Sequence, residues 1–142
     1  MNKLDYIAID FETANQYRYS ACQIGLVKFI DGKESECLTQ LIQPPVLYFV
    51  PEWIEEIHHI TVDDVRDKPK FPQVWEDMVM PFINKTPGLP LLAHNGNAFD
   101  MNVIRGCCDY YNMKYPDLDY FDLGFITNPK NGEVKALSVR VP

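Results

Sequence analysis

Hydrophobic residues along the chain fall into short runs, and the first of these predict strands. Leu4–Phe11 is apolar and rich in β-forming residues, and Ala21–Ile30 is a second run of the same kind. The dipeptide Asp31-Gly32 is a strong hairpin signal, so Ser35–Ile42 is predicted to be the returning strand of an antiparallel meander. Pro44-Pro45 then ends this part of the sheet.

The middle of the chain changes to a helical pattern. Glu52–Ile57 fits a short helix, and Thr61 followed three residues later by Asp64 has the spacing of a capping box at a helix start. A longer amphipathic helix is predicted where apolar residues recur with helical spacing: Val74, Trp75, Met78, Val79, Phe82 and Ile83. Pro81 lies within this pattern and is expected to kink the helix or end it early.

The second half of the chain alternates strand and helix. Leu89–Ala93 predicts a short buried strand, and Asp119–Gly124 predicts a fifth strand. Between them we expect a helix with an apolar face formed by Phe99, Val103, Cys107 and Tyr110. The segment Glu133–Pro142 is interpreted as a short tail without a clear partner. These elements together predict an α/β fold with a mixed sheet.

Length and composition indicate a single globular domain. The chain has 142 residues, and no run of apolar residues approaches the length that a membrane helix needs. The N-terminus runs directly into a predicted strand, so no secretory signal is expected. The four cysteines show no CxxC spacing, which favours a reducing cytoplasm over a disulfide framework or a zinc knuckle.

The net charge of −7 and the pI near 4.8 limit the kinds of nucleic-acid contact to expect. A protein that coats nucleic acid through Lys and Arg is disfavoured, because phosphate neutralisation is the main source of such affinity. The negative charge does not exclude an enzyme with an acidic site. Divalent cations bound to its carboxylates would reverse the local electric field and make the contact to phosphate.

Asp10 and Glu12 are the first candidate site residues. Alternate residues of a strand point to the same face, so these two carboxylates lie side by side while Phe11 points to the core. A hard divalent cation with oxygen ligands would relieve their repulsion. The alternative is a strand end at which both acids are simply hydrated.

Asp100 is the second candidate, and it too has a purely structural interpretation. If Asn97 caps the following helix, then Asp100 sits at the capping-box position and favours the helix N-terminus electrostatically. Asn95-Gly96 can likewise be only a tight turn.

The chain has three histidines, and any histidine chemistry must use them. His94 directly follows a predicted strand and is interpreted as structural. His58 and His59 lie in a helix–helix connection, where one is expected to be exposed and functional and the other to be a packing residue.

Four segments in order resemble the DnaQ-like (DEDD) exonuclease family, which includes the epsilon subunit of bacterial DNA polymerase III. Ile9–Thr13 (IDFET) is similar to the first exonuclease motif, and Ser20–Val27 (SACQIGLV) to the strand that follows it. Ile57–Thr61 (IHHIT) is similar to the family's His-Gly-Ile-Thr stretch, with His59 in place of glycine. Leu92–Asp100 (LAHNGNAFD) is similar to the second exonuclease motif.

The resemblance implies a ribonuclease H-like fold: a mixed five-stranded sheet flanked by helices. It implies that Asp10, Glu12 and Asp100 bind two Mg²⁺ or Mn²⁺ ions. For the 3′ end of single-stranded nucleic acid, it implies contacts from the backbone at Phe11 and Thr13. The resemblance also implies further contacts to this end. A ring of Phe11 or Phe99 would stack near a frayed base, and Asn95 and His58 would lie beside the substrate.

The resemblance stops before the family's third motif, which supplies a His or Tyr and a fourth metal-binding Asp. No His lies beyond His94, and Glu133 is the only acid after Asp122. The domain is therefore expected to lack its C-terminal helical part. A truncated gene product, a degenerate copy and completion by another subunit are the three alternatives. Loss of the last helix would uncover apolar sheet surface and favour a homodimer.

Three functions compete on this sequence. The first is a metal-dependent 3′→5′ exonuclease on single-stranded DNA ends, with impaired or lost activity and a DNA polymerase as partner. The second is a related RNA-trimming exonuclease. The third is a non-catalytic nucleic-acid or replication-complex binding module derived from an exonuclease. An α/β domain unrelated to nucleic acid is the remaining alternative.

Overall fold

The fold is described from a computed structural model, which covers residues 5–93, 98–123, 126–127, 134–135 and 138–140. The predicted site residue Asn95 lies outside these ranges, as do His94, which was interpreted as structural, and Asn97.

The sheet begins with the predicted antiparallel meander. Strands β1 (Tyr6–Thr13), β2 (Ala21–Ile30) and β3 (Lys33–Leu41) pair in sequence order. Asp31 and Gly32 have φ of 53° and 76°, the left-handed geometry that a tight hairpin turn requires, which confirms the predicted turn.

Two parallel strands extend the sheet on the other side of β1. Strand β4 (Leu91–Ala93) pairs with β1, and β5 (Tyr120–Leu123) pairs with β4. The predicted five-stranded mixed sheet is therefore confirmed, with β1 at its centre.

The chain adds strands that the sequence did not predict. Strands β6 (Ile126–Thr127) and β7 (Val134–Lys135) form a separate antiparallel pair. Strand β8 (Ser138–Arg140) pairs antiparallel with β5 and is the sixth strand of the main sheet. The prediction of an unpartnered C-terminal tail was wrong, because the edge of β5 offers backbone hydrogen bonds that no sequence pattern reveals.

The segment after the meander forms short helical turns. Helix α1 (Pro51–Trp53) continues into a π-helical turn at Ile54–His58, where His59 ends it in the left-handed conformation. Helix α2 (Val62–Val65) starts at Thr61, whose side chain accepts a bond from the Asp64 N–H while Asp64 accepts one from the Thr61 N–H. The predicted capping box is confirmed.

The amphipathic helix consists of α3 (Phe71–Val74), a π-helical turn at Trp75–Val79 and α4 (Met80–Asn84). Pro81 was predicted to kink the helix or end it early; the helix continues to Asn84, so the early end was wrong and the kink stays a prediction. The Met80 N–H bonds to the Trp75 carbonyl, five residues back, so Pro81 falls in the first turn of α4. A proline lacks only a bond that this position does not need.

Helix α5 (Phe99–Tyr110) packs Val103 and Cys107 into the core, as predicted, together with Ile104. Tyr110 was predicted for the same apolar face but is 49% exposed, because it lies in the last turn of the helix.

Two charged side chains are also buried, Asp100 in α5 and Lys28 on β2. The Lys28 ammonium lies 4.7 Å from the centre of the Phe82 ring, so the long apolar stem fills core volume.

The four cysteines all lie in the described ranges, and none is disulfide-bonded. Cys22, Cys107 and Cys108 are buried, whereas Cys37 is exposed on β3. Burial raises the pKa of Cys22 and Cys107 to about 12 and that of Cys108 to about 11. Within the described ranges, no helix has both the length and the apolar character to span a bilayer.

Candidate active site

The C-terminal end of β1 carries the first two candidate carboxylates. Ile9 and Phe11 are buried on the core face of the strand, while Asp10 on the opposite face is exposed and Glu12 is partly buried. The strand pairing becomes irregular between Glu12 and Thr13. Alternation thus places the two acids together at the point where regular pairing ends, as predicted.

Asp100 reaches this strand end from helix α5. Its Oδ1 accepts a hydrogen bond of 2.9 Å from the backbone N–H of Phe11, the residue between Asp10 and Glu12. The side chain is 1% exposed, and 89 residues separate the two partners along the chain. A charge-assisted bond of this kind holds the second motif against the first.

Asp100 lies in the first turn of α5, where its charge favours the helix N-terminus as predicted, but the helix is capped at Ala98 and not at Asn97. Helix α5 begins at Phe99, and its N-cap is Ala98 in the left-handed conformation with no side-chain cap bond. Asp100 is the second helical residue, and its Oδ1 accepts a bond from β1.

The environment of Glu12 shows that its neighbourhood is unfavourable for negative charge. Partial burial raises the pKa of Glu12, and the charge of Asp10 raises it further. A cation between the two acids would relieve both effects.

The donor set fits a hard divalent cation in its chemistry, because Asp10, Glu12 and Asp100 offer carboxylate oxygens only. Their arrangement is less complete. Over the residues that the structure describes, no three His, Cys, Asp or Glu side chains form a cluster able to hold a metal ion. One oxygen of Asp100, Oδ1, already accepts a bond from the strand backbone.

A cavity of about 200 Å³ lies beside Glu12. Its lining combines the end of β1, the first helical turns and the start of α5: Phe11, Glu12, Thr13, Trp53, Ile57, His58 and Phe99. Trp53 and Ile57 were not among the predicted site residues. Their only sequence signal was their position in the predicted helix that ends next to His58.

His58 is the half-buried histidine of the pair, and His59 is exposed. The Nδ1 atom of His58 accepts a bond of 2.9 Å from the Ile60 N–H. Burial lowers the pKa of His58, and the backbone of Thr13 partly opposes this effect. His58 therefore lines the cavity as a neutral imidazole, which the bond from the Ile60 N–H holds in place at Nδ1.

The aromatic candidates differ in accessibility. The ring of Phe11 is 2% exposed and packs 6.5 Å from the Phe71 ring, whereas Phe99 is partly exposed at the cavity. Phe99 is therefore the more accessible ring for stacking. Thr13 is buried at the last position of β1.

The comparison with protein families decides what this arrangement belongs to. The family model of the RNase T exonucleases matches residues 7–133, which covers all of the site described above. The chain belongs to the RNase T exonuclease family. The DEDD resemblance of the sequence motifs is thereby confirmed at the level of the family. No curated protein sequence matches the chain.

Solved structures of RNase T-type exonucleases share the fold. The nuclease domain of 3′hExo, a DEDDh family member bound to rAMP, is 21% identical with a TM-score of 0.69 over 80% of this chain and 62% of that one. Exonuclease X in complex with 5′ overhanging duplex DNA is 25% identical with a TM-score of 0.59, over 82% and 58%. The zinc-bound E. coli ExoI–ssDNA complex is 17% identical with a TM-score of 0.67, over 84% and 28%.

These likenesses confirm the ribonuclease H-like fold that the motifs implied. The chain spans less than two thirds of the length of the exonucleases that it matches.

Proposed function

We propose that this chain is a divalent-metal-dependent 3′→5′ exonuclease that acts on single-stranded DNA ends. The observation that carries the proposal is the bond from the Phe11 N–H to Asp100, which brings the acids of two distant motifs to one strand end. Membership of the RNase T family supplies the class of reaction.

Each site residue has a role in this proposal. Asp10, Glu12 and Asp100 would hold two Mg²⁺ or Mn²⁺ ions, which supply an activated water and stabilise the leaving oxygen. The cavity would receive the terminal nucleotide, with the Phe99 ring against its base. The neutral His58 would lie beside that nucleotide and bring no charge to it.

RNA ends are the second candidate substrate. The support is that 3′hExo, which shares the fold, was solved with rAMP, the product of cutting an RNA chain. DNA is supported by the Exonuclease X and ExoI complexes, which hold DNA. Discrimination rests on contacts to the 2′-OH, so both substrates belong in one assay.

The test uses 5′-labelled single-stranded DNA and RNA of equal sequence with Mn²⁺, Mg²⁺ or EDTA. We expect stepwise shortening from the 3′ end with either metal, loss of products in EDTA, and protection of a strand whose 3′ end is blocked. Asp10→Ala should abolish shortening. Asp77→Asn, on the exposed face of the amphipathic helix, is the matched control and should leave the rate unchanged.

The outcomes separate the alternatives. Faster shortening of RNA would replace DNA by RNA as substrate. Binding of oligonucleotide and Mn²⁺ without any shortening would identify a non-catalytic binding module and contradict the proposal. Products that survive the Asp10→Ala substitution would indicate a contaminating nuclease.

A further inference from the structure

Four tyrosines form a continuous aromatic surface beyond the active site. The rings of Tyr17 and Tyr19 stack 5.4 Å apart with planes only 6° from parallel, Tyr19 lies 4.8 Å from Tyr110, and Tyr110 lies 5.1 Å from Tyr111. We call these four rings the tyrosine ladder. Tyr17 is 50% exposed and Tyr110 is 49% exposed, so the ladder presents ring surface to solvent, while Tyr111 packs against the core.

A buried polar network holds the loop that carries Tyr17 and Tyr19. The Asn15 side chain accepts a bond of 2.9 Å from the Tyr17 N–H and donates one of 2.8 Å to the Tyr48 carbonyl. The hydroxyl of Ser20 donates to the Tyr17 carbonyl at 2.6 Å, and both Asn15 and Ser20 are almost fully buried. The exposed rings are therefore presented on a fixed backbone, which lowers the entropy cost of binding a ligand.

Helix α5 anchors the same loop through a glycine. A Cβ added at Gly106 would lie 2.6 Å from the Cβ of Arg18 and 3.2 Å from the Tyr19 backbone nitrogen. The thiol of Cys107 lies 3.7 Å from the Tyr19 carbonyl. This close approach of loop and helix is what brings the Tyr19 ring against the Tyr110 ring.

The ladder lies at the opposite end of α5 from the active-site cavity. Phe99 lines the cavity, and Tyr110 follows eleven residues later, which is close to three full helical turns. The two rings therefore share one side of the helix and are separated by about 16 Å along its axis. A strand with its 3′ end in the cavity would reach the ladder about five nucleotides upstream, at about 3.4 Å per nucleotide.

The charge around the ladder differs from that of the whole chain. Segments 14–20 and 101–115 contain three basic residues, Arg18, Arg105 and Lys114, and one acid, Asp109. The Asp109 carboxylate already accepts a bond of 2.6 Å from the Tyr115 hydroxyl. A local excess of positive charge in a chain of net charge −7 favours an anionic ligand at this surface.

We propose that the tyrosine ladder binds the single strand upstream of the 3′ end by stacking bases on its exposed rings. The inference rests on the proposed function, and it assigns a second contact to the same substrate. Stacking accepts every base, so the ladder would add affinity without sequence preference. Arg18 would lie near the backbone phosphates of the same stretch.

The test compares strands that reach the ladder with strands that do not. Binding of labelled oligonucleotides of about three and about ten nucleotides is measured by fluorescence anisotropy in EDTA, where the strands stay intact. The longer strand should bind the parent protein more tightly. Tyr17→Leu and Tyr110→Leu should each weaken its binding at least about fivefold and leave the shorter strand unaffected.

Control variants test whether the weaker binding is caused by loss of the aromatic rings of the ladder. Tyr17→Phe and Tyr110→Phe retain the aromatic face and should bind as the parent does. Tyr6→Leu removes another stacked ring, 4.9 Å from Phe29 at the opposite end of β1, and should also leave the gain from length intact.

Each contrary result has a defined meaning. Equal affinity for both lengths, or a gain from length that survives the Leu variants, would overturn the ladder while the proposed function stands. A dimer that Tyr17→Leu dissociates would assign the surface to a second copy of the chain. Failure to shorten strands of either length in Mn²⁺ would overturn the proposed function itself.

Discussion

The carboxylate of Asp100 has two roles. It accepts a hydrogen bond from β1, and it adds a negative charge to the candidate site. Asp100→Asn keeps an oxygen that can accept the bond but removes the charge. We expect the affinity for Mn²⁺, measured by calorimetry, to fall at least about tenfold. Loss of a residue that only hydrogen-bonds a metal ligand already lowers metal affinity by about this factor. The midpoint of thermal unfolding should change little.

Asp100→Ala is the informative companion. It leaves the Phe11 N–H without a partner in a buried place, which costs about 1–3 kcal/mol of unfolding free energy beyond the loss of charge. Equal stability of the Asn and Ala variants in urea unfolding would show that this bond does not hold the two motifs together.

His58 gives the fold a pH dependence of defined sign. Burial lowers the pKa of His58 in the folded state, so the unfolded chain, with an ordinary value of about 6.5, takes up the proton first as the pH falls. The folded state is therefore not penalised above about pH 6.5, where the imidazole is neutral in both states, and it loses stability as the pH falls below that value. The drop in Tm between pH 7.5 and 5.5 should be smaller in His58→Asn than in the parent.

His59→Asn is the control, because it makes the same chemical change at an exposed neighbour. Asn also tolerates the left-handed backbone at this position, where φ is 60°. An equal reduction of the pH effect in both variants would contradict a specific role of His58.

At the scale of elements, a single glycine decides how α5 meets the loop after β1. In an ordinary helix, Gly→Ala stabilises by up to about 1 kcal/mol. Gly106→Ala should instead destabilise by about 1–3 kcal/mol, because the new methyl group would meet Arg18 at 2.6 Å. Asn102→Ala in the same helix should change the unfolding free energy by no more than a few tenths. A stabilised Gly106→Ala protein would show that the loop yields easily.

Local signals predicted several elements well. The hairpin at Asp31-Gly32 and the capping box at Thr61 depend on the conformations of a few neighbouring residues, and both were predicted. The start of α5 was not, because Ala98 has no side chain that announces a cap. Strand β8 was missed for a related reason: its pairing with β5 depends on a distant backbone edge.

The candidate site shows the same division. The motifs predicted which acids matter, and alternation along β1 predicted that Asp10 and Glu12 share a face. The bond from the Phe11 N–H to Asp100 joins residues far apart in the sequence, so spacing alone favoured a cap instead. The tyrosine ladder joins two segments in the same way, and no motif pointed to it.

For the whole molecule, metal binding should appear as added stability. Any ligand that binds only the folded state raises the unfolding free energy, by about 2.7 kcal/mol at one hundred times its dissociation constant. Mn²⁺ should therefore raise Tm in a concentration-dependent manner. Asp10→Asn should reduce this increase and Asp77→Asn should not. An equal increase in both variants would indicate diffuse binding to the acidic surface.

The positions of the cysteines allow local unfolding of the protein to be followed by the rates at which they are labelled. A cysteine reacts with thiol reagents through its thiolate, which is the nucleophile. Exposed Cys37 should therefore react at once, whereas the buried Cys22, Cys107 and Cys108 should react only after they become exposed. Cys107 lies under the loop that carries Tyr19, and Cys22 lies within β2. Faster labelling of Cys107 than of Cys22 would mean that the loop detaches from α5 while the sheet stays folded. The ratio of the two labelling rates then measures how far opening of the loop is independent of opening of the sheet.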